Sequence, residues 1–569
     1  MNVPMSRVAR LARWALAFVL VLPWAAASAG PGQAAIATAH PAATAAGREV
    51  LEAGGNAFDA AVAITAALAV VEPYSSGLGG GGFYLLHDAE TGRDVMLDAR
   101  ERAPGQASRD MYLDADGNPQ PRLSVDGALA AGIPGIPAAL DHLAADYGAL
   151  PLTVSLDPAI RAAREGFAVT EMYRDLAGFR QEVMAADPVS RTLFLDDGEV
   201  PELGHLIRQP DLAETLERIA IEGRDGFYQG ELAGRLVDGV RKAGGIWCRS
   251  DLAGYRVVER EPVIGRFRGF EVVSAAPPSS GGVAIAQILN TYDRVERRAG
   301  PLEDASVTGL HYRIESMRRA YRDRAEYLGD PDYVDVPVER LTGTDYAAGL
   351  AVGISPTEAT PSAALAPVVT EPEGPHTTHF SVMDAQGNYV AATLSINYPF
   401  GAAVTVPGTG VLLNDEMDDF SQKPGVPNVY GLIGAEANAI VPGKRPLSSM
   451  SPTFVRNDQL VGVLGTPGGS RIITMVLGGV LAATRGEPVA DWVAEPRIHH
   501  QYLPDRVEVE PDRLTEAQRT ELEGMGHRIE SNDGFGNMQA VAWWREDNRL
   551  EAASDPRGEG EAIVFRAER

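Results

Sequence analysis

Two periodicities of apolar and polar positions run along this chain, and they place its elements. Residues 57–71 are apolar almost throughout, with Asn56 before them, Asp59 in the first turn and Pro73 beyond the end. This pattern predicts a buried, capped helix. A glycine-rich loop, Ser75-Ser76-Gly77-Leu78-Gly79-Gly80-Gly81-Gly82, leads into a short strand at Phe83–Leu86. Residues 105–350 alternate helical patterns with short strands, without an internal repeat. Within them Arg318, Arg319, Arg322 and Arg324, close to Asp323 and Glu326, read as a solvated helix face. Residues 355–375 break every pattern. Their five prolines (Pro356, Pro361, Pro367, Pro372, Pro375) among Ala, Thr, Ser and Glu predict a flexible, exposed linker. Two strands follow, 377–383 and 389–396, around a turn at Asp384–Asn388. If Met383 pairs with Tyr389, Thr377 faces Ser395, and Asn397 lies two residues further on the same face. Farther on, Leu460–Leu464 reads as a strand, Gly465–Gly469 as a loop and Ser470 as the start of a helix. The Gly468 and Gly469 amides at that helix start form a natural anion cradle.

The first 29 residues read as an address. Arg7, Arg10 and Arg13 are followed by an apolar stretch from Trp14 to Ala25 and by Ala27-Ser28-Ala29, the small residues a signal peptidase requires. The stretch is broken by Pro23 and falls short of the ~20 residues of a comfortable membrane span. An exported protein beginning near Gly30 is therefore expected, periplasmic or secreted, with an uncleaved anchor as the alternative. The 569 residues are 45% hydrophobic and 22% charged, a globular balance with ample core. The net charge of −27, or −30 once the three leader arginines are removed, argues against nucleic acid as a partner. The single cysteine, Cys248, forbids an intrachain disulfide and a cysteine metal cluster.

Several known chemistries fail on order or spacing. Gly77, Gly79 and Gly82 fit G-x-G-x-x-G, but the order is helix, loop, strand, the reverse of a dinucleotide site. There is no H-E-x-x-H and no G-x-S-x-G. No metal and no cofactor is expected. The 468–469 loop lacks the lysine of a phosphate-binding loop. On their own, two hydroxyls and an amide beside a linker are commonplace in strands.

Longer motifs change that reading. Thr377-Thr378-His379, Asn414-Asp415-Glu416-Met417-Asp418-Asp419-Phe420-Ser421, Pro446-Leu447-Ser448-Ser449-Met450-Ser451-Pro452 and Thr466-Pro467-Gly468-Gly469-Ser470-Arg471 follow one another in register. With the 76–83 loop, Leu97-Asp98-Ala99-Arg100-Glu101 and Pro278-Ser279-Ser280-Gly281-Gly282, they resemble the gamma-glutamyltransferase (gamma-glutamyltranspeptidase) family from about Ala35 to near the C-terminus. The resemblance implies an αββα four-layer sandwich of the N-terminal nucleophile hydrolase type. It implies a precursor that cuts itself between His376 and Thr377, giving a large chain (30–376) and a small chain (377–569) that stay together as a heterodimer. Thr377 would be the nucleophile, Ser395 its hydrogen-bonding neighbour at a position that is often threonine, and Gly468 and Gly469 the oxyanion hole.

By the same resemblance Arg100, with Ser448 and Ser449, would bind the α-carboxylate of a γ-glutamyl group. Asn397, Glu416 and Asp419 would take its α-amine. Residues 423–430 resemble a lid loop, with Tyr430 over the bound group; Asp418, read by itself, belongs to a solvated acidic turn. The implied activity is hydrolysis and transpeptidation of glutathione and other γ-glutamyl compounds, with water, amino acids or dipeptides as acceptors. Two other readings stay open: a glutaryl-cephalosporin acylase, which has no α-amine to bind, and a non-catalytic exported binding protein.

Overall fold

The computed structural model describes residues 30–365, 377–423, 425, 426, 428, 432 and 434–566. Two antiparallel sheets lie face to face. The first has seven strands in the order Glu561–Phe565, Ala34–Thr38, Thr378–Met383, Tyr389–Ser395, Gly81–Asp88, Arg93–Ala99 and Val258–Arg260. The second has six, in the order Arg549–Ser554, Gln539–Trp544, Leu460–Gly465, Thr453–Arg456, Phe270–Ser274 and Val263–Phe267. Helices Pro41–Glu52 and Ala57–Val71 cover the outside of the first sheet, and Gly281–Ala299 and Ile472–Thr484 cover the outside of the second. The architecture is an αββα sandwich, as the family resemblance implies.

Side-chain alternation explains the layers. Along Ala34–Thr38, Ala34 and Ile36 join the core under the outer helices, while Ala35 and Ala37 join the core between the sheets. In the hairpin, Phe380, Val382, Val390 and Ala392 face outward; Met383, Tyr389 and Ala391 face inward. The hairpin has the register expected from its turn, with Tyr389 opposite Met383 and Leu394 opposite Thr378. Its turn is fixed by Asp384, whose Oδ1 accepts from the amides of Gln386, Gly387 and Asn388. The helix at Ala57–Val71 is capped by Asn56 and Asp59 through a reciprocal pair of bonds.

The glycine loop serves close packing. A Cβ on Gly79 would lie 1.9 Å from the Leu412 carbonyl oxygen, and one on Gly80 2.1 Å from that of Ser395. The helix-loop-strand order at Ala57–Asp88 also stands as read, which removes a dinucleotide site from this loop.

Three expectations need correction. The arginine run is not a solvated face. Arg318 and Arg319 are buried against Glu315, Arg318 also reaches Asp505, and Arg324 is buried against Ser280 and Ser449. Only Arg322 is half-exposed. The first part of the 355–375 stretch is docked: Ser362 is buried, its amide donates to Asp505 and its hydroxyl to the Tyr502 carbonyl. Asp418 is buried too, accepting from Ser124 and Gln422. Pro367, Pro372, Pro375, His376, Tyr430 and the leader at 1–29 lie outside the described residues.

Both sheets take strands from either side of residue 376, so the proline-rich stretch does not divide the chain into two structural units. Among the described residues no helix is long and apolar enough to cross a membrane.

Candidate active site

Thr377 begins the Thr378–Met383 strand at the edge of the inter-sheet layer. Its Oγ1 lies 3.5 Å from Ser395 Oγ across the hairpin. Ser395 Oγ in turn accepts from the Asn397 amide at 2.7 Å. Asn397 adopts a left-handed backbone (φ 74°), which swings the chain out of the strand, and its side-chain amide donates to the Asp415 carbonyl at 3.1 Å. The pairing thus brings the three predicted residues together.

These residues line one narrow cleft of about 20 Å³ with Glu416, Asp419, Ser448, Ser449, Gly469 and Arg324. That volume is close to what one water needs, because the charged groups of the cleft hold one another. Arg100 is fully buried behind it. Its guanidinium donates to Glu416 at 2.5 Å and to Asp419, and its Nε to the Pro446 carbonyl at 3.3 Å. Glu101 lies 3.5 Å from the same guanidinium, with both carboxyl oxygens buried and without a hydrogen bond among the described residues. One cation therefore faces three carboxyls. Burial, reinforced by the neighbouring acids, pushes the Glu416 carboxyl up to about 8 and that of Glu101 well above its usual range.

The serine pair is held by segments from both sides of residue 376. Ser448 Oγ accepts from the Met450 amide, and its carbonyl receives the Ser280 amide and hydroxyl. Ser449 Oγ accepts from Arg324 at 3.1 Å. Arg324 is the residue that sequence reasoning missed. It pairs with no carboxylate among the described residues, and burial lowers its pKa to about 10. Asn414, in the 414–421 motif, is a second such residue. Its side chain ties the glycine loop to the acidic turn, donating to Gly79 and Gly132 carbonyls and accepting from the Gly132 and Glu416 amides.

The anion cradle has the expected strand–loop–helix context, ending in a short turn at Gly469–Arg471 before the Ile472–Thr484 helix. Gly468 has φ 139° and Gly469 φ 55°, both in the region that favours glycine. A Cβ on Gly468 would lie 2.4 Å from the Met475 methyl. Of the 423–430 segment, Asn428 donates to Asp419 at 3.1 Å, which lays this part of the segment against the acidic turn.

Comparison with known proteins identifies the family. The sequence profile described as Gamma-glutamyltranspeptidase matches residues 43–565. The glutathione hydrolase proenzyme of Escherichia coli K12 is 42% identical over 529 residues, covering 92% of this chain and 90% of its own. Acylase ACY 1 proenzyme of Pseudomonas sp. V22 is 35% identical, covering 93% of both chains. A cephalosporin acylase structure from Bacillus halodurans superposes with a TM-score of 0.81 at 28% identity, covering 99% of both chains. With its sandwich fold, its threonine–serine pair and a family match along nearly the whole chain, this protein belongs to the gamma-glutamyltranspeptidase family.

Proposed function

We propose that the protein is a self-cleaving γ-glutamyl hydrolase and transpeptidase acting on glutathione and related compounds. The observation that carries this reading is the cleft itself. Thr377, Glu416 and Asp419 line it together and Arg100 lies directly behind the two acids, so a nucleophile and partners for both charges of an amino acid are gathered around one space. Related proenzymes named as glutathione hydrolases support it.

The chemistry follows from the groups present. In the precursor, Thr377 Oγ attacks the His376 carbonyl and gives an ester, which water opens. The freed α-amine, with a pKa of roughly 7.7–8.0, then takes the hydroxyl proton that a threonine does not release unaided. Thr377 attacks the γ-amide, the Gly468 and Gly469 amides receive the oxyanion, and the leaving amine departs. Water or an amine then releases the glutamyl group. Ser395 orients the nucleophile. A glutamyl zwitterion fits between Arg100 and Asp419 by exchange: its carboxylate replaces the acids on the guanidinium, with Ser448 and Ser449 as further donors, and its ammonium takes Asp419, Glu416 and Asn397. Tyr430 is assigned to the lid by resemblance alone.

A glutaryl acylase is the second reading, supported by the acylase relatives. The amine-binding acids speak against it, because a glutaryl group leaves them without a cation. The 1–29 leader supports export, after which the two chains remain together as a heterodimer. A denaturing gel with N-terminal sequencing tests the processing: wild type gives two chains, the smaller beginning at Thr377, and Thr377→Ala stays single. Turnover of γ-glutamyl-p-nitroanilide above glutaryl-p-nitroanilide identifies the substrate; the reverse order selects the acylase.

A further inference from the structure

Arg324 apart, the arginine run of the Val307–Tyr327 helix has no part in the chemistry described above, and its other buried members hold one polar segment. Arg319 donates to the Gly353 carbonyl at 2.9 Å and to the Thr360 hydroxyl at 3.1 Å, and Arg318 donates to the Ser362 hydroxyl at 2.5 Å. Glu315, fully buried between the two arginines, accepts from the Thr360 amide at 3.1 Å. His311, one turn earlier, donates a ring N–H to the Ser355 carbonyl at 2.8 Å. The far side of the segment is held by residues that follow position 376. The Ser362 amide donates to Asp505 at 2.7 Å, its hydroxyl to the Tyr502 carbonyl at 2.6 Å, and the Ala359 amide to the Met525 carbonyl at 2.7 Å.

Burying a carboxylate and two guanidiniums is costly even when they are paired, and the segment they gather around packs little of its own: Pro356, Thr357, Glu358 and Pro361 are exposed. Its place in the chain gives the reason. Eleven residues, 366–376, join the docked Leu365 to Thr377, which the hairpin fixes in the first sheet. With the segment released, the nearest buried residue upstream is Ile354, and the span becomes the twenty-two residues 355–376. The chance that a linker's ends stand at set points falls as about the 3/2 power of its length, so this doubling makes any one placement of the His376–Thr377 bond roughly three-fold rarer. Tyr502, Asp505 and Met525 lie on the nucleophile's side of the cut, so the docked segment is fixed to the same part of the chain that carries Thr377.

We propose that the docked segment 355–362 is an anchor for self-cleavage, with Ser362 and Asp505 as its positioning residues. It shortens the tether of the scissile bond and so raises the share of time in which the His376 carbonyl stands before Thr377 Oγ1. The anchor moves no proton and makes no bond in the acyl shift. The inference rests on the self-cleaving reading and adds to it residues that touch neither the scissile bond nor the substrate.

The test follows maturation of the chain from residue 30 onward, made in a labelled pulse of cell-free synthesis and chased on denaturing gels. One variant combines Ser362→Ala with Asp505→Ala and frees the anchor. A second inserts eleven Gly and Ser residues after Pro367, which doubles the tether and leaves the anchor's contacts in place. Each slows the appearance of the small chain by roughly three-fold, and the two together, which triple the span, by about five-fold. Once cleaved, each variant turns over γ-glutamyl-p-nitroanilide at the wild-type rate per molecule, which a general loss of structure would not allow. A maturation rate untouched by the insertion overturns the anchor, and it does so even if the double substitution fails to fold. An anchor variant that folds and matures at the wild-type rate overturns it as well. Failure of the underlying reading shows separately: a wild type that stays a single chain overturns self-cleavage, and the anchor with it.

Discussion

Asp419 is shared between Arg100 and Asn428, and in the proposed mechanism it changes partner to the substrate ammonium. Asp419→Asn should weaken γ-glutamyl turnover by ~30-fold or more in kcat/KM, since removing one member of a buried charge pair costs ~2–5 kcal/mol. Glutaryl turnover, with no ammonium to satisfy, should change far less. Equal losses on both substrates would make Asp419 a scaffold residue. Arg324 makes a different demand. Its guanidinium fixes the Ser449 hydroxyl at 3.1 Å and adds a positive charge to the end of the cleft where the proposed mechanism seats the carboxylate. Arg324→Gln should raise KM for γ-glutamyl-p-nitroanilide by roughly ten-fold with a smaller effect on kcat, the mark of lost ground-state binding. A KM equal to wild type removes Arg324 from substrate positioning.

At the level of elements, the site depends on two sheets meeting without a gap. Gly465, at the end of its strand in the second sheet, faces His379 in the first: an added Cβ would lie 2.2 Å from the His379 ring. The ring is fixed by Thr393 at 2.8 Å and Ser381 at 3.2 Å, so it has no easy retreat. Gly465→Ala should cost about 1–3 kcal/mol, the usual range for overpacking, read as a lower thermal midpoint; an unchanged midpoint would mean the sheets slide apart at no cost. The hairpin beside it was legible in the sequence because period two and a five-residue turn fix its register, and register fixes which hydroxyl meets which. The strand–glycine–helix passage at 460–472 was legible for the same local reason. What stayed hidden was whatever distant segments decide. Arg318, Arg319 and Arg324 look solvated beside their own neighbours; they are buried by residues 280, 353–362, 449 and 505. A cavity of about 220 Å³ that borders Thr377 is likewise made by Glu72, Gly468 and Phe535, from segments far apart in the sequence.

Over the whole molecule, two sets of buried groups oppose each other on acidification. Burial lowers His40 and His500 to about 4 and His379, His499 and His527 to about 3. Below about pH 6.5 the unfolded chain protonates these histidines and the folded one does not, so their contribution to stability is lost as pH falls, by ~1.4 kcal/mol per histidine per pH unit. Glu72 and Glu416, raised to about 7 and about 8, act the other way: the folded state holds protons the unfolded state has released, which favours folding as pH falls towards about 4.5. Below that value the unfolded acids protonate too, and the histidines act alone, joined by Glu508, lowered to about 2. Five histidines outweigh two acids, so calorimetry between about pH 7 and 3 should show a thermal midpoint that declines from about pH 6.5, partly offset by Glu72 and Glu416, and drops more steeply below about pH 4.5. A midpoint that holds level down to about pH 4.5 would contradict this reading.

The interleaving of strands from both sides of residue 376 has a consequence for the molecule's life history. The uncut precursor finds its fold as one polymer, with the linker keeping all strands at high effective concentration. In the proposed cleaved form no tether would remain, and the two pieces would stay paired because each is woven through both sheets. A mature molecule that loses its structure must then rebuild it by a bimolecular encounter between two fragments, neither of which holds a complete sheet. With the proposed cleavage, maturation would remove the means of repair: the active enzyme would be assembled once, and replacement rather than refolding would maintain its supply.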